Sequence, residues 1–267
     1  MSTDRQSSLV KITELENGIF KIILNDPSHQ NTLSEKMIDE LQSAFDHFNS
    51  SPSRVIILSS TGKVFSAGHD LKELKAARSH PDKGKEYFQS ILKKCSRLMQ
   101  TIVNHSKPVI AQVDGVATAA GCQLALSCDL VYASSNSRFA TPGVNIGLFC
   151  STPMVALSRN TTSKHSMEML LTGELISADE AEKKGLINKS VNEEELENLI
   201  LEKATKISSK SGTTLKIGKK AFYQQIEMPL AEAYEYASKV MLENMLDQDA
   251  KEGIEAFLEK RSPNWKE

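Results

Sequence analysis

Cysteine, aromatic residues and charge of one sign are all scarce in this chain. Its 267 residues include 4 cysteines, 1 tryptophan and 6% aromatics, and 32 basic residues offset 34 acidic ones. That balance argues against a nucleic-acid surface, which needs a basic excess or stripe. Cys95, Cys122, Cys128 and Cys150 form no C-x-x-C pair, and no histidine is spaced to complete a zinc site. No metal is expected, and the thiols should be reduced and mostly buried. Long hydrophobic runs are missing too. The most apolar stretch, 109–133, is broken by Gln112, Asp114, Gln123 and Asp129, whereas a membrane-spanning helix needs about 20 mostly apolar residues. The opening MSTDRQSSLVKI has no apolar core, so secretion is not expected. Also absent are G-x-G-x-x-G, G-x-x-x-x-G-K-[ST], H-E-x-x-H and G-x-S-x-G. With them go the usual signatures of nucleotide loops, zinc proteases and serine hydrolases.

What remains is an ordinary globular composition, 40% hydrophobic and 25% charged. Short apolar runs at 9–15 and 19–24, joined by Glu16-Asn17-Gly18, predict a hairpin. Met37, Ile38, Leu41, Ala44, Phe45 and Phe48 have helical spacing behind a Ser34 cap. Runs at 54–60, 109–113 and 129–133 read as strands, the first two buried. Residues 86–104 read as helix, and the polar 75–87 as a mobile loop. From about Thr152 the helical patterns dominate: 166–171, 177–184 with a capping box at Ser177 and Glu180, 193–208, 215–224, 231–246 and 249–259. The pattern predicts an α/β core over residues 1–200 and a helical C-terminal region over 201–267.

Two small-residue segments each follow a predicted strand and lead into a helix. They are Ser66-Ala67-Gly68-His69-Asp70-Leu71-Lys72 and Gly115-Val116-Ala117-Thr118-Ala119-Ala120-Gly121-Cys122-Gln123. Small side chains let a ligand approach the backbone. Unpaired N–H groups at a helix start favour an anion. Tight turns with close helix packing would use the same residues. In this order, and with Gln30-Asn31-Thr32-Leu33, Lys107-Pro108-Val109-Ile110-Ala111, Phe139-Ala140-Thr141-Pro142, Leu171-Thr172-Gly173-Glu174 and Phe257-Leu258-Glu259-Lys260-Arg261, the chain resembles the enoyl-CoA hydratase/isomerase (crotonase) superfamily.

That resemblance implies a crotonase-like spiral of ββα units with a helical trimerisation region, binding CoA thioesters as a trimer or a dimer of trimers. It implies no permanently bound cofactor, the thioester itself being substrate or ligand. The backbone N–H groups of His69 and Ala120 would hold the thioester oxygen. Gln30, Thr32, Ala67, Asp70, Leu71, Lys72 and Lys260 fall on segments that border CoA. The likeness also implies acyl-CoA or fatty-acid metabolism, in the cytoplasm if bacterial or the mitochondrial matrix if a trimmed eukaryotic chain.

The pattern breaks where hydratases of the family carry two glutamates. Those positions are Gln123 and Gly143 here. An amide has no proton-transfer pKa near neutrality, and glycine has no side chain. Some isomerases place an acid further on, at a position that is Ser151 here. The sequence therefore leaves open an enzyme with nonstandard chemistry, a catalytically silent thioester-binding or regulatory protein, and a structural trimer with a closed site.

Overall fold

The computed structural model describes residues 8–266. Residues 1–7, part of the segment read for a leader, lie outside the described residues. Strands β1 (Val10–Glu14) and β2 (Ile19–Leu24) pair antiparallel, Val10 opposite Leu24, around the expected turn. Helix α1 (Glu35–Asn49) starts where the Ser34 hydroxyl accepts from Met37 N at 3.2 Å. It buries Met37, Ile38, Leu41, Ala44, Phe45 and Phe48. Burial at about 1.5–3 kcal/mol for each large side chain makes that face, rather than helix propensity, the reason the segment stays put.

The chain then spirals. Strands β3 (Val55–Ser60) and β4 (Val64–Ser66) are followed by helices α2 (Leu71–Ala77) and α3 (Lys85–Val103). Strands β5 (Val109–Val113) and β6 (Val116–Thr118) are followed by α4 (Ala120–Leu126). Strands β7 (Leu130–Ser134) and β8 (Arg138–Ala140) are followed by α5 (Pro153–Asn160) and α6 (Ser163–Thr172). Strand β9 (Ile176–Ser177), α7 (Ala178–Lys183), β10 (Lys189–Val191) and α8 (Glu193–Ser208) complete the core. Each turn lays one strand in each of two sheets, ordered β1-β2-β3-β5-β7-β10 and β4-β6-β8-β9. The pairings β3–β5–β7 and β4–β6–β8 are parallel. This is the α/β spiral of ββα units. The parallel pairing of β4 with β6 brings together the two small-residue segments, one following β4 and the other running through β6 into α4.

Three further helices, α9 (Gly212–Gln225), α10 (Leu230–Met245) and α11 (Gln248–Glu259), form the helical C-terminal region. Position 200, the expected limit of the core, falls inside α8. That helix packs Leu196, Ile200 and Ala204 against Ile19, Val55, Ile57, Ile110 and Tyr132. Helix α9 is anchored by a buried charge. Lys219 Nζ donates to Asp129 Oδ2 at 2.7 Å and to the carbonyls of Ile102 and Lys107 at 3.0 and 3.1 Å. Tyr223 donates to Asp129 Oδ1 at 3.0 Å.

The mobile loop expected at 75–87 is instead ordered helix and turn, running from the end of α2 into the start of α3. Its polar residues were misleading because they bond to backbone. The Asp82 carboxylate accepts from Gly84 N at 2.9 Å and Glu86 N at 2.8 Å. Glu73 accepts from Tyr87 OH at 2.8 Å and Glu35 N at 3.0 Å. Many large apolar side chains of the C-terminal helices face outward. Phe222, Tyr234, Met241, Met245 and Phe257 are 53–83% exposed, while Tyr223 turns inward. Periodicity identifies an apolar face but not what covers it. The four thiols are free and buried, as expected.

Candidate functional site

The two small-residue loops meet edge to edge. Gly68 has φ +88, and a Cβ there would lie 2.9 Å from Ala119 Cβ and 3.1 Å from Ala120 N. Gly121 sits so close to β4 that a Cβ would lie 2.2 Å from Ser66 O. Thr118 Oγ1 donates to Ala67 O at 3.3 Å, a tie between the loops that the sequence did not single out. The 67–70 segment is held from its other side. Ala67 N donates to Gln30 O at 3.1 Å, and Leu33 N to Gly68 O at 2.8 Å. Asp70 Oδ1 caps α2 by accepting from Lys72 N at 2.7 Å. Buried Asn31 fixes the bend before it, its side-chain amide donating to Thr61 O and Val64 O at 2.8 and 2.7 Å. Nothing in its sequence context marked Asn31 as this brace, because its partners are distant backbone carbonyls.

Among the described residues, neither the His69 N–H nor the Ala120 N–H has a hydrogen-bond acceptor. Backbone donors this enclosed are normally paired. The residue that aims the second one is strained: Ala119 has φ +50 and ψ −121, a conformation costing about 1–3 kcal/mol for a side-chain-bearing residue. It is held there by Ala119 N donating to Ala140 O at 3.0 Å and Gln123 N donating to Ala119 O at 3.1 Å. One free donor in the 66–72 loop and one at the start of α4, neighbours where Gly68 abuts Ala120 N, can together bind an oxygen that acquires negative charge.

Three buried polar side-chain atoms in the same region also lack partners among the described residues: His69 Nε2, Gln123 Oε1 and Thr141 Oγ1. His69 Nδ1 lies 3.3 Å from Leu33 O. A carbonyl only accepts, so Nδ1 carries the proton and Nε2 keeps its lone pair. Burial lowers the His69 pKa, against smaller opposing contributions from Leu33 O and Glu73. Buried His105 is likewise held neutral, Nε2 on Phe45 O at 3.0 Å and Nδ1 accepting from Lys107 N at 3.1 Å. Both folded values lie below the ordinary 6.5. The unfolded chain therefore binds more protons below that pH, and stability should fall on acidification from 6.5 toward the folded values. Urea midpoints measured between about pH 7 and about pH 5 should drop, and an unchanged midpoint would refute the neutral-histidine assignment.

Position 143 is more than a missing side chain. A Cβ on Gly143 would lie 2.4 Å from Leu148 O and 2.8 Å from Cys150 Sγ. The thiol accepts from Gly143 N at 3.3 Å. Burial raises the Cys150 pKa, so it stays a neutral thiol. Gln123 is 5% exposed on α4, and the neighbouring Cys122 thiol is pushed up to about 12 by burial. The region thus offers one amide, one neutral imidazole and backbone donors, but no carboxylate at either of these positions.

The profile described as Enoyl-CoA hydratase/isomerase matches residues 14–267. The chain belongs to this family. A mouse (Mus musculus) protein named enoyl-CoA hydratase domain-containing protein 3, mitochondrial, is 49% identical over 254 residues, 95% of this chain and 83% of the relative. Among solved structures, an enoyl-CoA hydratase of Mycobacterium smegmatis is similar with a TM-score of 0.93 at 44% identity, covering 97% of this chain and 99% of that one. Human enoyl-CoA hydratase domain-containing protein 3 gives 0.91 at 48%, covering 96% and 100%.

Of the residues that the enoyl-CoA hydratase/isomerase resemblance assigned to the site, the structure gathers Gln30, Thr32, Ala67, His69, Asp70, Leu71, Lys72 and Ala120 around the two loops. Leu71 is 55% exposed and Lys72 points its side chain from the same exposed turn of α2. Lys260 is not gathered with them. It is exposed in a left-handed cap at the end of α11, which packs on α9 and α10. Ser151 is exposed, its hydroxyl donating at 3.3 Å to Phe149 O in its own loop.

Proposed function

We propose that this family member binds an acyl-CoA or enoyl-CoA thioester with its carbonyl oxygen between the His69 and Ala120 N–H groups. The observation that carries this reading is the pair of unpaired donors, aimed by a strained Ala119. Developing charge on a thioester enolate gives such donors a purpose that a tight turn alone does not. In hydration the family resemblance assigns proton transfer to two glutamates, and here Gln123 and Gly143 occupy those positions. The thioester needs no resident cofactor for enolate chemistry.

A second reading is a catalytically silent thioester binder or regulatory protein. The filled space at Gly143 favours it, since Leu148 O and Cys150 Sγ leave no room for a replacement acid. A pH–rate profile separates the two, because only an enzyme has one. The exposed apolar positions on α9, α10 and α11, with Phe257 83% exposed, form the kind of surface that copies of a chain cover. With the family resemblance, which alone supplies the number of copies, we infer a trimer or a dimer of trimers. The name of the mouse relative supports a mitochondrial location, and the family resemblance points to acyl-CoA metabolism in the matrix; a bacterial cytoplasm is the alternative.

The reading is tested by titrating acetoacetyl-CoA and following the enolate absorbance. Wild-type protein should bind it and stabilise the enolate. Gly68→Ala sets a methyl group about 3.1 Å from Ala120 N and should cost roughly 100-fold, the effect of losing one such donor. Equal affinity and equal enolate signal in a folded Gly68→Ala variant would refute the site.

A further inference from the structure

A cavity lies at the end of the main sheet opposite the β3–β4 and β5–β6 corners. It has a volume of about 250 Å³ and is lined by Arg54, Ser106, Lys107, Thr213, Lys216 and Lys266 among others. Arg54 and Lys107 immediately precede β3 and β5, so the cavity sits at the N-terminal ends of these strands. The β3–β4 and β5–β6 corners leave from the C-terminal ends of the same strands. At about 3.3 Å per residue, some 20 Å of sheet separates the two places.

Beside Arg54, the described lining holds three ammonium groups, those of Lys107, Lys216 and Lys266; the buried Asp249 carboxylate stands behind the start of α9, accepting from Ser211 Oγ at 2.5 Å and from Lys266 N at 2.8 Å. Lys107 is half-buried, and among the described residues its ammonium has no carboxylate partner. Burial first, then Lys216 and Arg54, lowers its pKa. Arg54 faces the carbonyls that end α8, donating to Ser208 O at 2.6 Å and to Lys210 O. The floor adds backbone donors. Ser211 Oγ caps α9 by accepting from Thr214 N at 3.0 Å, while the Gly212 and Thr213 N–H groups have no acceptor among the described residues. Three ammonium groups lining one concavity raise the local potential and draw in an anion.

We propose that this cavity binds a phosphate-bearing small molecule, the phosphate held by Lys107, Lys216 and Lys266 and by the first-turn N–H groups of α9. Three ammonium groups and two backbone donors offer more hydrogen bonds than a single carboxylate can accept. A phosphate or diphosphate has the oxygens to use them. The cavity joins residues before β3 and β5 to the start of α9 and to Lys266, so an occupant would bridge the core and the C-terminal helices.

The test is calorimetric titration of the full chain with inorganic pyrophosphate, at an ionic strength held constant with chloride. Saturable binding at one site per chain is expected. Lys107→Gln and Lys216→Gln should each weaken it by about tenfold or more, the effect of losing one charge-assisted bond. Lys216 is exposed, so its variant keeps the experiment informative should Lys107→Gln fail to fold. Acetyl-CoA affinity, measured on the same samples, should not change. No binding by wild type, or undiminished binding by the double variant, overturns the proposal. So does a parallel loss of acetyl-CoA affinity, which would make the cavity the nucleotide end of the thioester site. Failure of acetoacetyl-CoA to bind between the loops would leave this result standing, since the two sites are tested with different ligands.

Discussion

Hydration of a short trans-2-enoyl-CoA by this protein should run about 10⁴-fold slower than by a relative bearing both glutamates. General acid and general base each contribute roughly 10²–10⁴-fold, and here one is an amide and the other a glycine. The two act on one reaction and are not additive, so the lower end of their product is the fair expectation. Loss of the conjugated enoyl absorbance at high protein concentration measures it, against Gln123→Ala and a blank preparation. Gln123→Glu should recover only part of the rate. Gly143→Glu should not recover the rest, because its Cβ would lie 2.4 Å from Leu148 O, and the loop at 148–150 would have to move. Turnover by wild type within tenfold of such a relative would show that another group, or a bound water, moves the proton. The unpaired Nε2 of neutral His69 would then be the first group to examine.

Removing the carboxylate under α9 should be the most damaging single change to stability. Asp129 accepts from Lys219 Nζ, Tyr223 OH and Val109 N, the last at 2.7 Å. The Lys219 side chain is 8% exposed, and burial lowers its pKa against the pull of Asp129. Asp129→Ala leaves that ammonium buried without its counter-charge, a change that typically costs 3–5 kcal/mol. At about 2–4 °C per kcal/mol for a chain of this size, the melting temperature should fall by about 6–20 °C. Asp129→Ala with Lys219→Met should recover most of the loss, since the pair can be replaced by apolar packing. A loss under about 1 kcal/mol for Asp129→Ala would mean that α9 is held by its apolar contacts alone.

Elements built from local interactions were legible residue by residue. The hairpin at Glu16–Gly18, the Ser34 cap with its apolar stripe, and the capping box at Ser177 and Glu180 each rest on partners within a few positions. The loop at 75–87 was misread for the opposite reason. Asp82 and Glu73 look like solvent-facing charges in sequence, yet they hold Gly84 N, Glu86 N, Tyr87 OH and Glu35 N, and the last of these belongs to α1. Ala119 was legible only as a small residue. Its positive φ is imposed by Ala140 and α4, and sequence convention would have put glycine there.

The sequence by itself determined the likeness to the enoyl-CoA hydratase/isomerase family, which implies the α/β spiral, and the residues that stand at its two glutamate positions, Gln123 and Gly143. Both follow from residue identity and order, which survive without coordinates. Only the tertiary structure decided that the space at Gly143 is already occupied by Leu148 O and Cys150 Sγ. It alone decided that Lys107, Lys216 and Lys266 share one concavity, that Asp129 anchors α9, and that the apolar C-terminal stripe faces outward. Each of these joins residues from distant parts of the chain, and such contacts depend on how the parallel strands stack rather than on any local pattern.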